Sequence, residues 1–311
     1  MELWKDKEIF RGLVVNASKH CGVPEAAIEK DLYVIEALRR IKAENPSIIF
    51  KGGTSLSKAY QAISRFSEDL DLSVVSNDVG DSSFTRDDYR SLLSFPVERA
   101  LKKMGFENEP DLRESSSPKY YCYNQSLDAV LFKDGHLNRQ IKIESTLISK
   151  PFPVEGRTVV SYIGEYLLAA GSKELAERYG LLPFPVLTQK IERTAVDKMC
   201  ALCDYYLEKK ARRNSRHIYD VYQISKQVDY DSPAFRELAK TVFLERKKMD
   251  RAYSANDGVS MNALYQAMLR NRFYEDDYNA VTLGIVFEKD PPSYEKASGI
   301  LKRIIELGLF E

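Results

Sequence analysis

Histidine is scarce in this chain: the three present, at 20, 136 and 217, form neither a catalytic triad nor a metal-ligand cluster. Cysteine is nearly as sparse. The four, at 21, 122, 200 and 203, do not make a disulfide framework in a chain of 311 residues. Cys200 and Cys203 are the only close pair. Without a second Cys or His pair of matching spacing they read as small core residues on one helix face, rather than half a zinc site or a redox pair. No apolar run approaches membrane-spanning length, and the opening MELWKDKEIF lacks a signal-peptide core, so the expected location is the cytoplasm, with no membrane partner. Neither sign of charge dominates, since 46 basic residues balance 46 acidic ones. That balance excludes a histone-like attraction to nucleic acid over the whole surface but leaves room for a local basic channel. The phosphate-loop pattern Gly-x-x-x-x-Gly-Lys-Ser/Thr is missing, which counts against an ordinary P-loop ATPase.

What is present is concentrated in FKGGTSLSKAYQAISRFSEDLDL, residues 50–72. Residues 47–50 read as a buried strand, 51–53 as a turn and 54–63 as a helix. A helix opening after two glycines points unpaired backbone N–H groups outward, which suits a phosphate. Gly52, Gly53, Thr54 and Ser55 are therefore candidate nucleotide-binding positions, with Thr54 capping the helix and Lys58 one turn later near enough to help. Asp69 and Asp71 are separated by one residue on an apparent strand. They project from one face while Leu70 and Leu72 turn into the core. Two adjacent carboxylates repel unless a cation lies between them, and Mg²⁺ or Mn²⁺ is the expected occupant. Each half of the pattern alone has an ordinary structural explanation. Together, in strand–turn–helix–strand order, they are equipment for attacking a nucleoside triphosphate.

The remainder of the chain supplies further candidates. Residues 1–45 read as two helices, the second opened by Pro24; 89–104 as a helix; and 106–148 as several strands. In QIKIES the isoleucines 141 and 143 alternate with Lys142 and Glu144, so one face is apolar and the other charged. Glu144 is the candidate third carboxylate, with Asp128 as substitute; strand arithmetic does not separate the catalytic reading from an ordinary half-exposed strand. After Pro185 the pattern is helical almost to the end. A helix over 188–210 carries an apolar stripe at 191, 195, 199, 202 and 206, and Lys198 lies off it. Spacing alone makes that lysine a solvated one. Basic residues at 209, 210, 212, 213 and 216 form a run that suits either a solvated helix end or an RNA backbone contact.

GGTSLSKAY followed by RFSEDLDL resembles the first motif of the AbiEii/AbiGii family of nucleotidyltransferase toxins, from type IV toxin–antitoxin and phage-abortive-infection systems. QIKIEST (140–146) is similar to the second motif, in which a lysine and an acidic residue share a strand. KIERTAVDKMCA (190–201) resembles the third, around a helical lysine, and RHIYDVY (216–222) the fourth, an arginine followed by an aspartate. The acidic residue usual directly after that arginine is replaced by His217, which leaves Asp220 alone in the acidic role. The resemblance implies an α+β fold with a polymerase β-like nucleotidyltransferase core, a mixed sheet flanked by helices. A composition shift near 150–185 marks the expected boundary between a core lobe over residues 1–160 and a mainly helical lobe over 161–311 that completes the active-site cleft. The resemblance favours Glu144 as the third carboxylate, adds Lys142 and Arg216 to the nucleotide-binding positions, and makes Lys198 a cation for the triphosphate. Asp220 is then a functional residue that either holds Lys198 or assists nucleotide or metal.

The reaction expected from these features is metal-dependent transfer of a nucleotidyl group from an NTP to a macromolecule. By the resemblance the acceptor is RNA, with the 3′ end of tRNA as the specific candidate, and a cognate antitoxin is a partner that acts without a stable complex. Two other readings stay open: a catalytically silent nucleotide- or RNA-binding regulator, and a nucleotidyltransferase acting on a small molecule such as an antibiotic.

Overall fold

The computed structural model describes residues 2–67, 69–75, 85–109, 119–122, 140–145, 150–249 and 252–311. The chain divides into two compact units, one of residues 1–59 with 67–188, the other of residues 60–66 with 189–311.

In chain order the first unit holds α1 (Lys7–Cys21), α2 (Glu25–Glu44), β1 (Ile48–Lys51), α3 (Gly52–Lys58), β2 (Leu70–Val74), α4 (Arg86–Tyr89), α5 (Phe95–Lys103), β3 (Glu107–Glu109), β4 (Lys119–Cys122), β5 (Gln140–Ser145), β6 (Val154–Val159), α6 (Tyr162–Ala169), α7 (Lys173–Arg178) and β7 (Phe184–Gln189). The described strands form one mixed sheet in the order β3-β4-β5-β2-β1-β7-β6. β2 runs antiparallel to β1 and parallel to β5, so the middle of the sheet cannot come from a chain of hairpins alone. Leu70, Leu72, Ile141 and Ile143 are buried as the period-two pattern requires, with Ile48, Ile49 and Phe50 of β1 completing the central core. Ile28, Leu32, Ile35 and Leu38 of α2 are buried, and α2 packs against α5. The α+β expectation holds.

The second unit is helical: α8 (Ile191–Leu207), α9 (Arg216–Ile224), α10 (Pro233–Arg246), α11 (Met261–Arg270), α12 (Glu275–Asp277) and α13 (Tyr294–Leu307). α8 is its axis and touches α9, α10 and α11. With neighbours on so many sides it buries far more than one stripe, Arg193, Lys198 and Asp204 included. Cys200 and Cys203 are buried there as free thiols, and burial pushes Cys200 up to about 12, so they are core residues and poor nucleophiles.

Three local expectations change. The helix after the glycines starts at Gly52 and ends at Lys58, short of 63. Its N-cap is Lys51, with no side-chain cap, so Thr54 lies inside the first turn and does not cap it. Residues 184–189 form a strand parallel to β1, where a helical pattern was expected to begin. Pro185 is tolerated there because the paired positions are Leu187 and Thr188. Among the described residues no helix is long and apolar enough to cross a membrane.

Candidate active site

The carboxylates of the first unit are brought together by register. Asp71 on β2 stands opposite Glu144 on β5 and opposite Lys51 on β1. Asp69, just ahead of β2, shares Asp71's face, and Lys142 shares Glu144's. The Lys142 ammonium bridges the two strands, touching Glu144 and lying 3.7 Å from Asp69 Oδ2. All three side chains are partly exposed, between 21% and 34%, so a ligand can reach them. Asp128, the substitute for Glu144, lies outside the described residues.

Gly52 makes room for this arrangement. Its φ of +77° is left-handed, and a Cβ built there would fall 1.8 Å from Asp71 Oδ2. The first glycine of the pair is thus required twice over, by backbone and by close approach of the carboxylate. Gly52→Ala is expected to cost roughly 2–4 kcal/mol of stability from left-handed strain plus overpacking, read as a lowered denaturation midpoint. Whatever folds should hold Asp71 displaced.

The hydroxyls after the glycines turn inward. Thr54 Oγ1 donates to Asp69 O at 2.5 Å and lies 3.1 Å from Ser67 Oγ, tying α3 to the entry of β2. Ser55 Oγ donates to Gly52 O at 2.9 Å. Both side chains are buried, so what this turn offers outward is backbone. Lys58 is buried as well. Its Nζ lies 3.0 Å from Asp31 Oδ1, 3.8 Å from Glu165 Oε1 and 3.5 Å from the centre of the Tyr162 ring. Burial opposes its charge, but Asp31, Tyr162 and Glu165 outweigh it and raise the lysine's pKa, so Lys58 is a buried, paired cation on the inner side of α3.

In the second unit Lys198, Arg216, His217 and Asp220 gather around a residue that sequence reading had passed over, Arg65. Its guanidinium grips Asp220 with both arms, Nε to Oδ1 at 2.6 Å and Nη2 to Oδ2 at 2.7 Å. Lys198 Nζ reaches the same Oδ2 at 2.7 Å and lies 3.4 Å from His217 Nδ1. His217 stacks flat on Tyr205. Arg65 is only 2% exposed and Asp220 fully buried. Burial alone would raise the Asp220 pKa, but Arg65 and Lys198 hold it well below the usual carboxylate range. Lys198 shifts the other way. Burial lowers its pKa, and the charges of Arg65 and Arg216 add to that, outweighing Asp220. Burial with Lys198 and Arg216 holds His217 far below ordinary histidine, so it is neutral near pH 7 and its Nδ1 can accept from the ammonium. Three cations against one carboxylate leave this cluster short of negative charge. Arg216 Nε is buried and meets no acceptor among the described residues.

The donor chemistry suits a hard divalent cation in one respect. Asp69, Asp71 and Glu144 offer carboxylate oxygens on one face, and a cation, the Lys142 ammonium, already lies between two of them. Among the described residues no three acidic, histidine or cysteine side chains are drawn together tightly enough to form a finished cage. Lys142 would have to yield for Asp69 and Glu144 to hold a metal ion.

The basic run is built on a pinned loop. Lys209 and Arg213 have φ of +56° and +66°, strained for side-chain-bearing residues. Asp277 holds the loop by accepting from Arg213 N at 2.8 Å and from Ser215 Oγ at 2.6 Å. Lys209, Lys210, Arg212 and Arg213 are exposed. On α10, Arg246 is mostly buried against Asp204, and Glu245 pairs with Arg193.

Comparison with known proteins found one family model and a similar solved structure. A family model described as nucleotidyl transferase AbiEii toxin, type IV TA system, matches residues 36–298. Among solved structures the chain is similar to MenT4, a nucleotidyltransferase toxin of Mycobacterium tuberculosis H37Rv, at 14% identity and a TM-score of 0.47, covering 94% of this chain and 98% of that one. No curated protein matches significantly.

Proposed function

Since this chain belongs to the AbiEii nucleotidyltransferase toxins of type IV toxin–antitoxin systems, we propose that it transfers NMP from an NTP to the end of an RNA, with a tRNA 3′ end as acceptor. The observation that carries the reading is the register placing Asp71 beside Glu144, with Asp69 and Lys142 on the same face. Asp69, Asp71 and Glu144 would hold Mg²⁺ or Mn²⁺, which when bound supplies Lewis-acid charge neutralisation at the phosphates. The backbone of Gly52 and Gly53 approaches the phosphates, because Thr54 and Ser55 send their hydroxyls inward. In the transfer the acceptor hydroxyl oxygen bonds to the α-phosphorus while the bond from that phosphorus to the bridging oxygen breaks. Pyrophosphate leaves with the electron pair, and a carboxylate of the acidic group takes the hydroxyl proton. Lys198 and Arg216 neutralise the triphosphate, whose charge complements their cation-rich cluster.

The pinned loop favours a polymer acceptor over a small molecule. Exposed Lys209, Arg212 and Arg213, fixed by a backbone that Asp277 holds, offer several phosphate contacts in one orientation. A cognate antitoxin that neutralises without a stable complex, and a cytoplasmic location, complete the proposal. Incubating the protein with total RNA and each labelled NTP in Mg²⁺ is expected to label RNA ends, with loss of labelling in excess chelator and recovery on added Mg²⁺ or Mn²⁺. Labelling by none of the four NTPs would sink the proposal. Labelling that falls steeply with salt in the wild type, and less steeply after Arg212→Gln with Arg213→Gln, is expected if the loop meets RNA phosphates.

A further inference from the structure

Both oxygens of Asp220 are taken by protein donors, and the residue is wholly buried. It has no free face with which to ligate an ion or accept a proton from an acceptor hydroxyl. Its environment is that of a bracket. We propose that Arg65 is a positioning residue for nucleotidyl transfer, clamping Asp220 so that Asp220 and His217 together fix the direction of the Lys198 ammonium. The inference rests on the reading that Lys198 meets the triphosphate.

Three features support it. A guanidinium bound through two parallel N–H···O contacts fixes the plane of a carboxylate, which a single point contact does not. An ammonium is a rotor with three donors on a flexible stem, so it needs at least two fixed acceptors to be aimed. Lys198 has them, Asp220 Oδ2 at 2.7 Å and His217 Nδ1 at 3.4 Å. Arg65 is itself held firmly. Ser64 O accepts from Phe287 N at 2.8 Å, Phe66 N donates to Ile285 O at 2.9 Å, and Arg65 pairs with Val286 in an isolated bridge. Tyr219, on the same helix as Asp220, accepts from Ser64 N at 3.1 Å. A clamp anchored to both backbone and helix can transmit orientation rather than merely neutralise charge.

The test uses the full chain with Arg65→Gln and Arg65→Lys. The charged and titratable groups around Lys198 are Asp220, Arg65, Arg216 and His217, and Arg65 contributes a lowering of the Lys198 pKa. In Arg65→Gln, kcat for labelled transfer should fall about 10²-fold while the NTP KM changes less than about threefold. Arg65→Lys, which keeps the charge but loses the fork, should recover about a tenth to a third of wild-type kcat. Independently of transfer, the midpoint for acylation of the Lys198 amine, followed by mass spectrometry across pH, should move upward in Arg65→Gln. Should Arg65→Gln fail to fold, Arg65→Met takes its place for the midpoint, and the kcat-against-KM split is read on Arg65→Lys, which keeps the charge. Folded variants with wild-type kcat, or a Lys198 midpoint unmoved when the Arg65 charge is removed, overturn the role of Arg65. Wild-type protein that transfers nothing, but whose Lys198 midpoint still responds to Arg65, overturns the functional reading instead.

Discussion

Asp71→Asn is expected to reduce nucleotidyl transfer by about 10³-fold or more, with Asp69→Asn close behind, while both variants stay folded. The substitution keeps size and shape, so the approach to Gly52 and the pairing of β2 with β5 survive. What disappears is one negative charge beside Glu144. Like charges gathered on one face repel, and Lys142, which pairs with Asp69 and Glu144, reduces that cost. The Asn variants should therefore unfold at the same denaturant concentration as wild type or slightly above it, the usual balance between activity and stability at a functional site. Titrating Mg²⁺ in the transfer assay separates ligand loss from general damage, because a lost carboxylate raises the metal concentration required. Both Asn variants transferring nucleotide at the wild-type rate would falsify the assignment. A midpoint drop equivalent to more than about 2 kcal/mol would instead make these aspartates structural.

The order strand, glycine turn, helix, carboxylate strand was legible because each step has a local cause. Gly52 needs a left-handed backbone, and the period of two puts Leu70 and Leu72 opposite Asp69 and Asp71. The outward facing of Lys142 and Glu144 was legible to the same degree, since Ile141 and Ile143 are buried between them, whereas the metal-holding role of Glu144 came from the resemblance alone. What could not be read locally was decided by distant partners. Arg65 and Asp220 are 155 positions apart, and no spacing rule connects an arginine in a loop with an aspartate on a later helix. Lys198 lies off the apolar stripe of α8, as read, yet is buried because that helix has neighbours on several sides. Lys58 was placed by its nearness to the glycines, whereas its nearest charged partner, Asp31, lies on α2. A tertiary ion pair outranks sequence proximity whenever the cation is buried, because an unpaired buried charge is far more costly than a displaced helix end.

Asp220→Ala should be the most destabilising single change in the second unit, costing about 3–5 kcal/mol or roughly 10 °C in Tm. The reason is what remains: Arg65 and Lys198 stay buried, Arg216 stays nearby, and no anion is left among them. Asp220→Asn keeps a carbonyl oxygen for the guanidinium and should lose less, but it too leaves the cations unneutralised. Deleting cation and anion together, as Asp220→Asn with Arg65→Met, should cost less than the sum of the single changes, because the pair then leaves no orphan. pH gives a second handle. The Asp220 pKa is depressed in the folded protein, so its stabilisation is complete above its unfolded value of 3.8 and is lost as pH falls toward the lower folded value. His217 is also depressed, but as a base. Below its unfolded value of 6.5 the unfolded chain takes up a proton that the folded chain refuses, so stability declines from there downward. Wild type should thus weaken in two stages on acidification, one beginning near 6.5 and one near 3.8. His217→Asn should remove the first stage and Asp220→Asn the second, measured as urea midpoints from pH 8 downward. A single acid limb, unchanged by either variant, would mean that the Arg65–Asp220–Lys198 cluster does not govern the stability of this helical unit.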